Sequence, residues 1–321
     1  MWGVSMTQSV EQIKLMVEIA TLYYNTGFTQ EEIANELQIT RQRVNRLLKE
    51  AQSNGIVQIN VVNPLQSFEH LRRSLISLYG LKDAEISVLS DDMSPRFAGE
   101  LGRAGSLAIG RHLQDASVIG IGWGTAVYEL VHAFNNNGVG AGRSVVPLIG
   151  GLGDMAPHFH INWLAGQLAQ KIGSSVQPLH APYLVERPEI KLALLSDALL
   201  AKTIDLWSKL DLVITGIGVT ISRSPLLYTS YFTNSHVLEL EKAEIVGDIC
   251  SNFFNADGEF YDWDVNERLI AITPEQLRKC PLVVAVAGGG SKFAAIQAAL
   301  KGGTIDVLVT DYSTAERLCA R

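Results

Sequence analysis

What the chain lacks narrows it first. No apolar run approaches the ~18 residues that span a bilayer, so no membrane-spanning helix is expected. The opening MWGVSMTQSV has no basic segment leading into an apolar one, so no secretory signal is read there, and Met6 serves as well as Met1 for a natural start. The three cysteines, Cys250, Cys280 and Cys319, are odd in number, far apart, and match no disulfide, metal or redox spacing. They fit buried or idle thiols in a reducing cytoplasm. Positive charge is scarce: 26 Lys/Arg stand against 33 Asp/Glu, a formal net charge of −7. That balance argues against a broad nucleic-acid surface. What is present, 47% hydrophobic and 18% charged residues over 321 positions, describes a globular chain with room for two domains.

The acidity is not evenly spread. Residues 1–63 hold five Lys/Arg and six Asp/Glu, close to neutral, so the bulk of the excess lies beyond them. Within FTQEEIANELQITRQRVNRLLKEAQSNG (28–55), the stretch Arg41 to Lys49 carries four cations and no carboxylate. Thr29 followed by Glu32 predicts a capping box opening a helix through Leu37. Thr40 caps a second helix from Arg41, with Val44, Leu47, Leu48 and Ala51 as its buried stripe. Gln42, Asn45, Arg46 and Lys49 repeat that spacing two residues out of phase, which turns them ~200° from the core. Together with Thr40, Arg41 and Arg43 they have the chemistry for base edges and phosphates. A solvated amphipathic face is the alternative, but such faces normally mix both signs of charge. Two helices joined by a short turn favour a helix-turn-helix that binds DNA. Gln38 falls where many such turns place glycine at positive φ, a strain of about 1 kcal/mol. Ile13, Met16, Val17, Ala20, Tyr23 and Tyr24 predict a covering helix before the pair, and IVQINVV after Gly55 a wing strand.

Asn63-Pro64 breaks the pattern and sets the domain boundary. Residues 64–80 follow as a linker or oligomerisation helix, with Phe68, Leu71, Leu75 and Leu78 at heptad spacing over too short a span to separate dimer seam from packed helix. Residues 81–321 alternate short β-branched runs (AEISVL, SVIGIG, SVVPLIG, DLVITGIG, AEIVGDI, LVVAVAGGG, IDVLVTD) with helical segments. This predicts an α/β domain with a doubly wound, mostly parallel sheet and a ligand at the strands' carboxyl ends. Two such ends are glycine-rich. GIGWGT offers open backbone at Gly122 and Gly124 and delivers Thr125 to a helix start. AGGGSKFAAI offers Gly288, Gly289, Gly290, Ser291 and Lys292. Backbone N–H groups, a hydroxyl and an ammonium suit a phosphate, although either loop alone is more simply the mark of a strand turning into a helix. In EIVGDICSNFFNADG, Asp248 is placed to receive sugar hydroxyls, to act as a base or to hold a structural hydrogen bond. His158 and His160 lack a third ligand nearby, so no metal is expected.

The order of helix-turn-helix, linker, GIGWGTAV, VVPLIGGLG, DLVITGIG, GDICSNFFNADG and AVAGGGSKFAAIQAAL resembles the SorC-type family of bacterial sugar-responsive transcriptional regulators over nearly the whole chain. The resemblance implies an effector domain similar to sugar-phosphate isomerases and glucosamine-phosphate deaminases that binds a phosphorylated sugar without turnover. It implies that Gly124 and Thr125 hold the phosphate, Lys292 pairs with an anionic or hydroxyl group, Asp248 recognises the sugar and Asn162 lines the pocket. Ala126 stands where members often carry a second threonine. The implied partners are double-stranded operator DNA, a phosphorylated sugar effector and further copies of the chain as a dimer or tetramer; no cofactor enters. The rival reading is an active sugar-phosphate isomerase or deaminase with an accessory N-terminal domain, using Asp248 as base and Lys292 as electrostatic stabiliser.

Overall fold

The computed structural model describes residues 10–57, 64–88, 94, 96–134, 142–153, 160–220, 222, 224 and 231–320. The chain divides into two compact units, Met1–Pro64 and Leu65–Arg321. No helix among the described residues is long and apolar enough to cross a membrane.

The first unit contains α1 (Val10–Ala20), which runs on into a π-helical turn at Thr21–Asn25, then α2 (Gln30–Glu36) and α3 (Arg41–Ser53). Thr29 forms the expected capping box: its hydroxyl accepts from the Glu32 N–H, and the Glu32 carboxylate accepts from the Thr29 N–H. Thr40 starts α3 by accepting from the Arg43 N–H at 3.2 Å. Between the two helices Gln38 adopts φ +50, the left-handed corner that glycine would occupy without strain. Val44, Leu47, Leu48 and Ala51 of α3 meet Ile33 and Ala34 of α2 and Met16, Ile19 and Ala20 of α1 in a small core. The α1 stripe differs from the sequence reading. Val17 and Tyr24 are exposed while Ile19 is buried, because the buried face follows Met16, Ile19 and Ala20 at helical spacing. Beyond Val57 the expected wing strand lies outside the described residues.

α4 (Pro64–Tyr79) starts at the boundary and leads into the second unit. There follow β1 (Asp83–Ser87), α5 (Phe97–His112), β2 (Val118–Ile121), α6 (Thr125–Ala133), β3 (Ser144–Pro147), α7 (Ile161–Ile172) and β4 (Ser175–Val176). Next come α8 (Pro188–Ser196), α9 (Ala198–Asp205), β5 (Leu212–Gly216), β6 (Gly218–Val219), α10 (Asn234–Lys242), β7 (Gly247–Ile249) and β8 (Asn252–Phe254). The chain closes with α11 (Pro274–Lys279), β9 (Val283–Val286), α12 (Phe293–Lys301), β10 (Val307–Asp311) and α13 (Tyr312–Cys319). Seven strands form one parallel sheet in the order β1-β10-β9-β5-β2-β3-β4. Its β9 and β10 are buried along their whole length, which suits near-continuous apolar runs.

From β2 the chain steps through β3 to β4 at one edge, then returns to the far side of β2 with β5 and continues through β9 to β10. The reversal between β2 and β5 is a topological switch point, where strand-end loops part and leave a crevice. The run AEIVGDI does not join this sheet. Its β7 pairs antiparallel with β6 and β8 in a separate three-stranded sheet. A two-residue turn at Cys250 and Ser251, φ +49 and +64, closes the β7–β8 hairpin in the twist that such hairpins favour. In α4, Leu71 and Leu75 belong to the core of this unit, whereas Leu78 is exposed.

Candidate functional site

On α3 every residue expected to face DNA is exposed: Thr40 at the cap, then Arg41, Gln42, Arg43, Asn45, Arg46 and Lys49. Burial of Val44, Leu47, Leu48 and Ala51 fixes this outcome, since the helical period leaves the other face no choice. Thr40 uses its hydroxyl to cap the helix. Arg41 and Asn45 border an open groove with Tyr23 and the segment Gly27–Glu31. Arg46 lies 3.6 Å from Glu50, one turn further on.

In the second unit a cavity of about 440 Å³ opens at the carboxyl ends of β2, β5 and β9, within the range of small-molecule sites. Four chain segments build it. After β2 come Trp123, Gly124, Thr125 and Ala126; the end of β5 and β6 supply Gly216 to Val219; the β7 hairpin supplies Asp248 and Cys250; and Ser291 and Lys292 follow β9, with Ser224 completing the described wall. Gly124 sits at φ +132 and Thr125 is the first residue of α6. Thr125 therefore stands at a helix N-terminus, whose unpaired N–H groups and partial positive charge favour an anion.

Asp248 is buried at 7% exposure. One carboxylate oxygen accepts from the Ser251 N–H at 2.9 Å. The other occupies the space where a Cβ at Gly218 would stand, which is why residue 218 has no side chain. Burial pushes the Asp248 carboxyl up to about 6, against the opposing pull of the Ser251 N–H and of Lys292. Lys292 donates to the Ile217 carbonyl at 2.8 Å. Burial moves its ammonium below the ordinary lysine range, and the Asp248 charge resists that shift. Cys250 Sγ lies 3.3 Å from Thr215 Oγ1, and burial pushes its thiol up to about 12. It is an inert, polarisable piece of wall. The arrangement places an anion-favouring helix end, one ammonium and one buried carboxylate around a single chamber with Trp123 and Ala126 as apolar surface.

Several expected residues fall elsewhere. Asn162 donates to the Leu179 carbonyl at 2.9 Å and accepts from the Leu179 N–H at 2.8 Å. Its amide is thus committed to the backbone beyond β4, and it does not join the described wall. Gly122 lies under the floor, where a Cβ would come 2.8 Å from Thr215 Oγ1 and 3.1 Å from Cys250 Sγ. Gly289 donates its N–H to buried Asp311 at 2.7 Å, and Gly288 packs against the same carboxylate. The AGGGSK loop therefore presents Ser291 and Lys292 to the chamber, while Gly288, Gly289 and Gly290 shape the turn. The sequence reading gives no site role to the wall residues Trp123, Gly216 to Val219, Ser224 and Cys250. Only the adjacency of Cys250 to Asp248 could have signalled one of them. His158 lies outside the described residues, and among those described no cluster of His, Cys, Asp and Glu has the make-up of a metal site.

A small helical unit with an exposed cationic helix, followed by an α/β unit with a ligand chamber at its switch point, defines a ligand-responsive DNA-binding regulator. Comparison with known proteins agrees. The family model "Putative sugar-binding domain" matches residues 63–320, and the model for sigma-70 region 4 matches residues 18–53. The sorbitol operon regulator of Klebsiella pneumoniae is 30% identical over 97% of this chain and 99% of its own. The deoxyribonucleoside regulator of Bacillus subtilis is 31% identical over 96% and 98%. The crystal structure of full-length SorC from K. pneumoniae superposes with a TM-score of 0.75, covering 97% of this chain and all (100%) of that one. A DeoR family regulator from Listeria monocytogenes superposes with 0.72 at 27% identity, covering 78% of this chain and 99% of its own. The chain belongs to the SorC-type family of transcriptional regulators, with a helix-turn-helix and a sugar-binding domain.

Proposed function

We propose that this regulator controls a bacterial carbohydrate pathway from the cytoplasm, and that a phosphorylated sugar in the β2–β5–β9 chamber sets its grip on operator DNA. The observation that carries the effector class is the meeting of the α6 N-terminus at Thr125, the Lys292 ammonium and the Asp248 carboxylate around one chamber. The first two suit a phosphate and the third suits sugar hydroxyls. Residues 1–63 act as the DNA-binding domain, 64–80 as the link between the activities, and 81–321 as the effector domain. One helix-turn-helix reads only a few base pairs, so the working species is a homo-oligomer, a dimer or tetramer, on a two-fold operator. The effector acts by binding the operator-competent and incompetent forms with unequal affinity.

Thermal melting of the purified chain against paired phosphorylated and unphosphorylated sugars tests the effector class. A ligand that binds at one hundred times its Kd stabilises by about 2.7 kcal/mol, and the phosphorylated partner of a pair should be the effective one. The same compound should change operator affinity at fixed salt, the salt being held because phosphate contacts make affinity strongly dependent on it. A broad panel that shifts neither quantity would overturn the proposal. The reading assigns binding and no turnover. Isomerisation or deamination of a sugar phosphate, abolished in Asp248→Asn, would transfer the assignment to an enzyme.

A further inference from the structure

The face of α3 assigned to DNA contains one internal ion pair. Arg46 Nε lies 3.6 Å from Glu50 Oε1. The second oxygen of Glu50 accepts from the Gln12 side chain of α1 at 3.5 Å, so a different helix restrains the carboxylate. Glu50 is half-buried while the Arg46 side chain is 67% exposed. Glu50 is also the lone acid in the sequence between Glu36 and Glu69.

A carboxylate on a helix that approaches phosphates lowers overall DNA affinity. Stability is a poor reason to keep it, since exposed i,i+4 pairs contribute little. Geometry supplies a better one. Arginine has five donors in a planar fork. Glu50 stands at ion-pair distance from the Nε side and leaves free the terminal Nη pair, the edge that matches guanine O6 and N7. A guanidinium held in this way loses rotamer freedom before it meets DNA, and preorganisation of that kind favours the matched partner.

Resting on the proposal that α3 enters a DNA groove, we infer that Glu50 is a positioning residue for sequence reading. Held by Gln12, it steadies Arg46 for a base edge, and its charge penalises any docking that places a phosphate there. It raises discrimination between cognate and non-cognate DNA while lowering affinity for both.

The test uses the full chain, a duplex enriched by the wild type from a randomised library, and a scrambled duplex of equal length. Affinities are read by fluorescence anisotropy at fixed salt. Glu50→Gln should tighten binding to the scrambled duplex and reduce the enriched-to-scrambled affinity ratio by about five-fold, within the range of couplings between contacting residues. Glu50→Asp keeps the charge but is too short to hold Arg46, so it should lose discrimination without gaining scrambled-duplex affinity. In an Arg46→Ala background, Glu50→Gln should lower the ratio far less than it does in the wild type, because only the phosphate penalty is then lost, a dependence that a merely structural Glu50 would not show. Gln12→Ala, which frees Glu50 but keeps the pair, should give a smaller fall in the ratio and remains informative if a Glu50 variant folds poorly. An unchanged ratio in Glu50→Gln, or an equal fall with and without Arg46, overturns the inference while leaving DNA binding intact. A wild type that enriches no sequence overturns both.

Discussion

Two buried aspartates at opposite ends of the parallel sheet, Asp83 and Asp248, are managed in opposite ways. Asp83 opens β1 at the amino end, where Arg72 of α4 reaches one oxygen at 2.6 Å and Arg111 of α5 the other at 2.9 Å. Burial alone would raise its pKa, but the two guanidinium groups outweigh it and hold the carboxyl below the usual range. Asp248 lies at the carboxyl end, similarly little exposed, with one backbone N–H as its described hydrogen bond and no ion pair among the described residues. Its pKa moves the other way. Similar solvent exposure thus yields a satisfied group and an unsatisfied one, because Asp248 lies deeper in the protein and lacks the two guanidinium partners of Asp83. The satisfied carboxylate anchors α4 to the sheet; the unsatisfied one faces a chamber and keeps its hydrogen-bonding capacity for a ligand.

The largest effect should come from removing the anchored charge. Asp83→Asn leaves Arg72 and Arg111 with Glu69 and Glu85 as their remaining charged partners. Breaking a buried pair costs about 3–5 kcal/mol, and the partial exposure of Arg72 and Arg111, 37% and 44%, argues for the lower figure. The pH dependence has a definite sign. A carboxyl whose folded pKa is depressed contributes its stability above the unfolded pKa and loses it as pH falls toward the folded value. Urea unfolding should therefore show a deficit of about 3 kcal/mol at pH 7 that shrinks through the acid range. Equal stability of variant and wild type at pH 7 would remove the distinction between the two ends.

A smaller effect on stability, with a larger one on function, is expected at the chamber. Gly218→Ala places a methyl on the Asp248 carboxylate, which cannot yield without losing the Ser251 N–H. Overpacking of this kind costs about 1–3 kcal/mol, so a deficit near 2 kcal/mol is expected in the same unfolding experiment. The displaced carboxylate should abolish the melting shift given by the effector. Retention of the full shift would mean that the Asp248 position does not matter to the ligand.

How much of this could be seen in the sequence differs between the regions for a physical reason. The α3 face was legible because a helix repeats its faces locally: once Val44, Leu47, Leu48 and Ala51 were inside, Arg46 and Lys49 had to be outside. Even the strain at Gln38 was readable from the demands of the turn. The glycine-rich strand ends marked the correct end of the sheet, since β2 and β9 both deliver wall residues there. What was hidden depended on distant partners. AEIVGDI has the composition of a buried parallel strand, and its hairpin turn lies at Cys250-Ser251, without the glycine or asparagine that normally announces such a turn. The diversion of Asn162 to Leu179, and of the Gly289 N–H to Asp311, follows from contacts 17 and 22 residues apart in sequence, which no local pattern records.

The smallest effect is the one that separates the two aspartates most cleanly, because its sign is reversed. Burial raises the Asp248 carboxyl from an ordinary 3.8 to about 6 in the folded chain. Between those values the folded chain holds a proton that the unfolded chain has released, so stability falls as pH rises through that window. Above it the ionised Asp248 is a standing cost, nominally about 3 kcal/mol at 1.36 kcal/mol per unit. Asp248→Asn removes that cost but also removes the charge that supports the Lys292 ammonium, which offsets part of the gain. The variant should therefore be more stable than the wild type by about 1 kcal/mol at pH 7.5 and no more stable near pH 4, while losing effector affinity. Removal of a buried carboxylate would thus destabilise at Asp83 and stabilise at Asp248. A loss of stability at pH 7.5 in Asp248→Asn would show that the folded protein itself satisfies this carboxylate, and that the chamber holds no unmet demand for a ligand to fill.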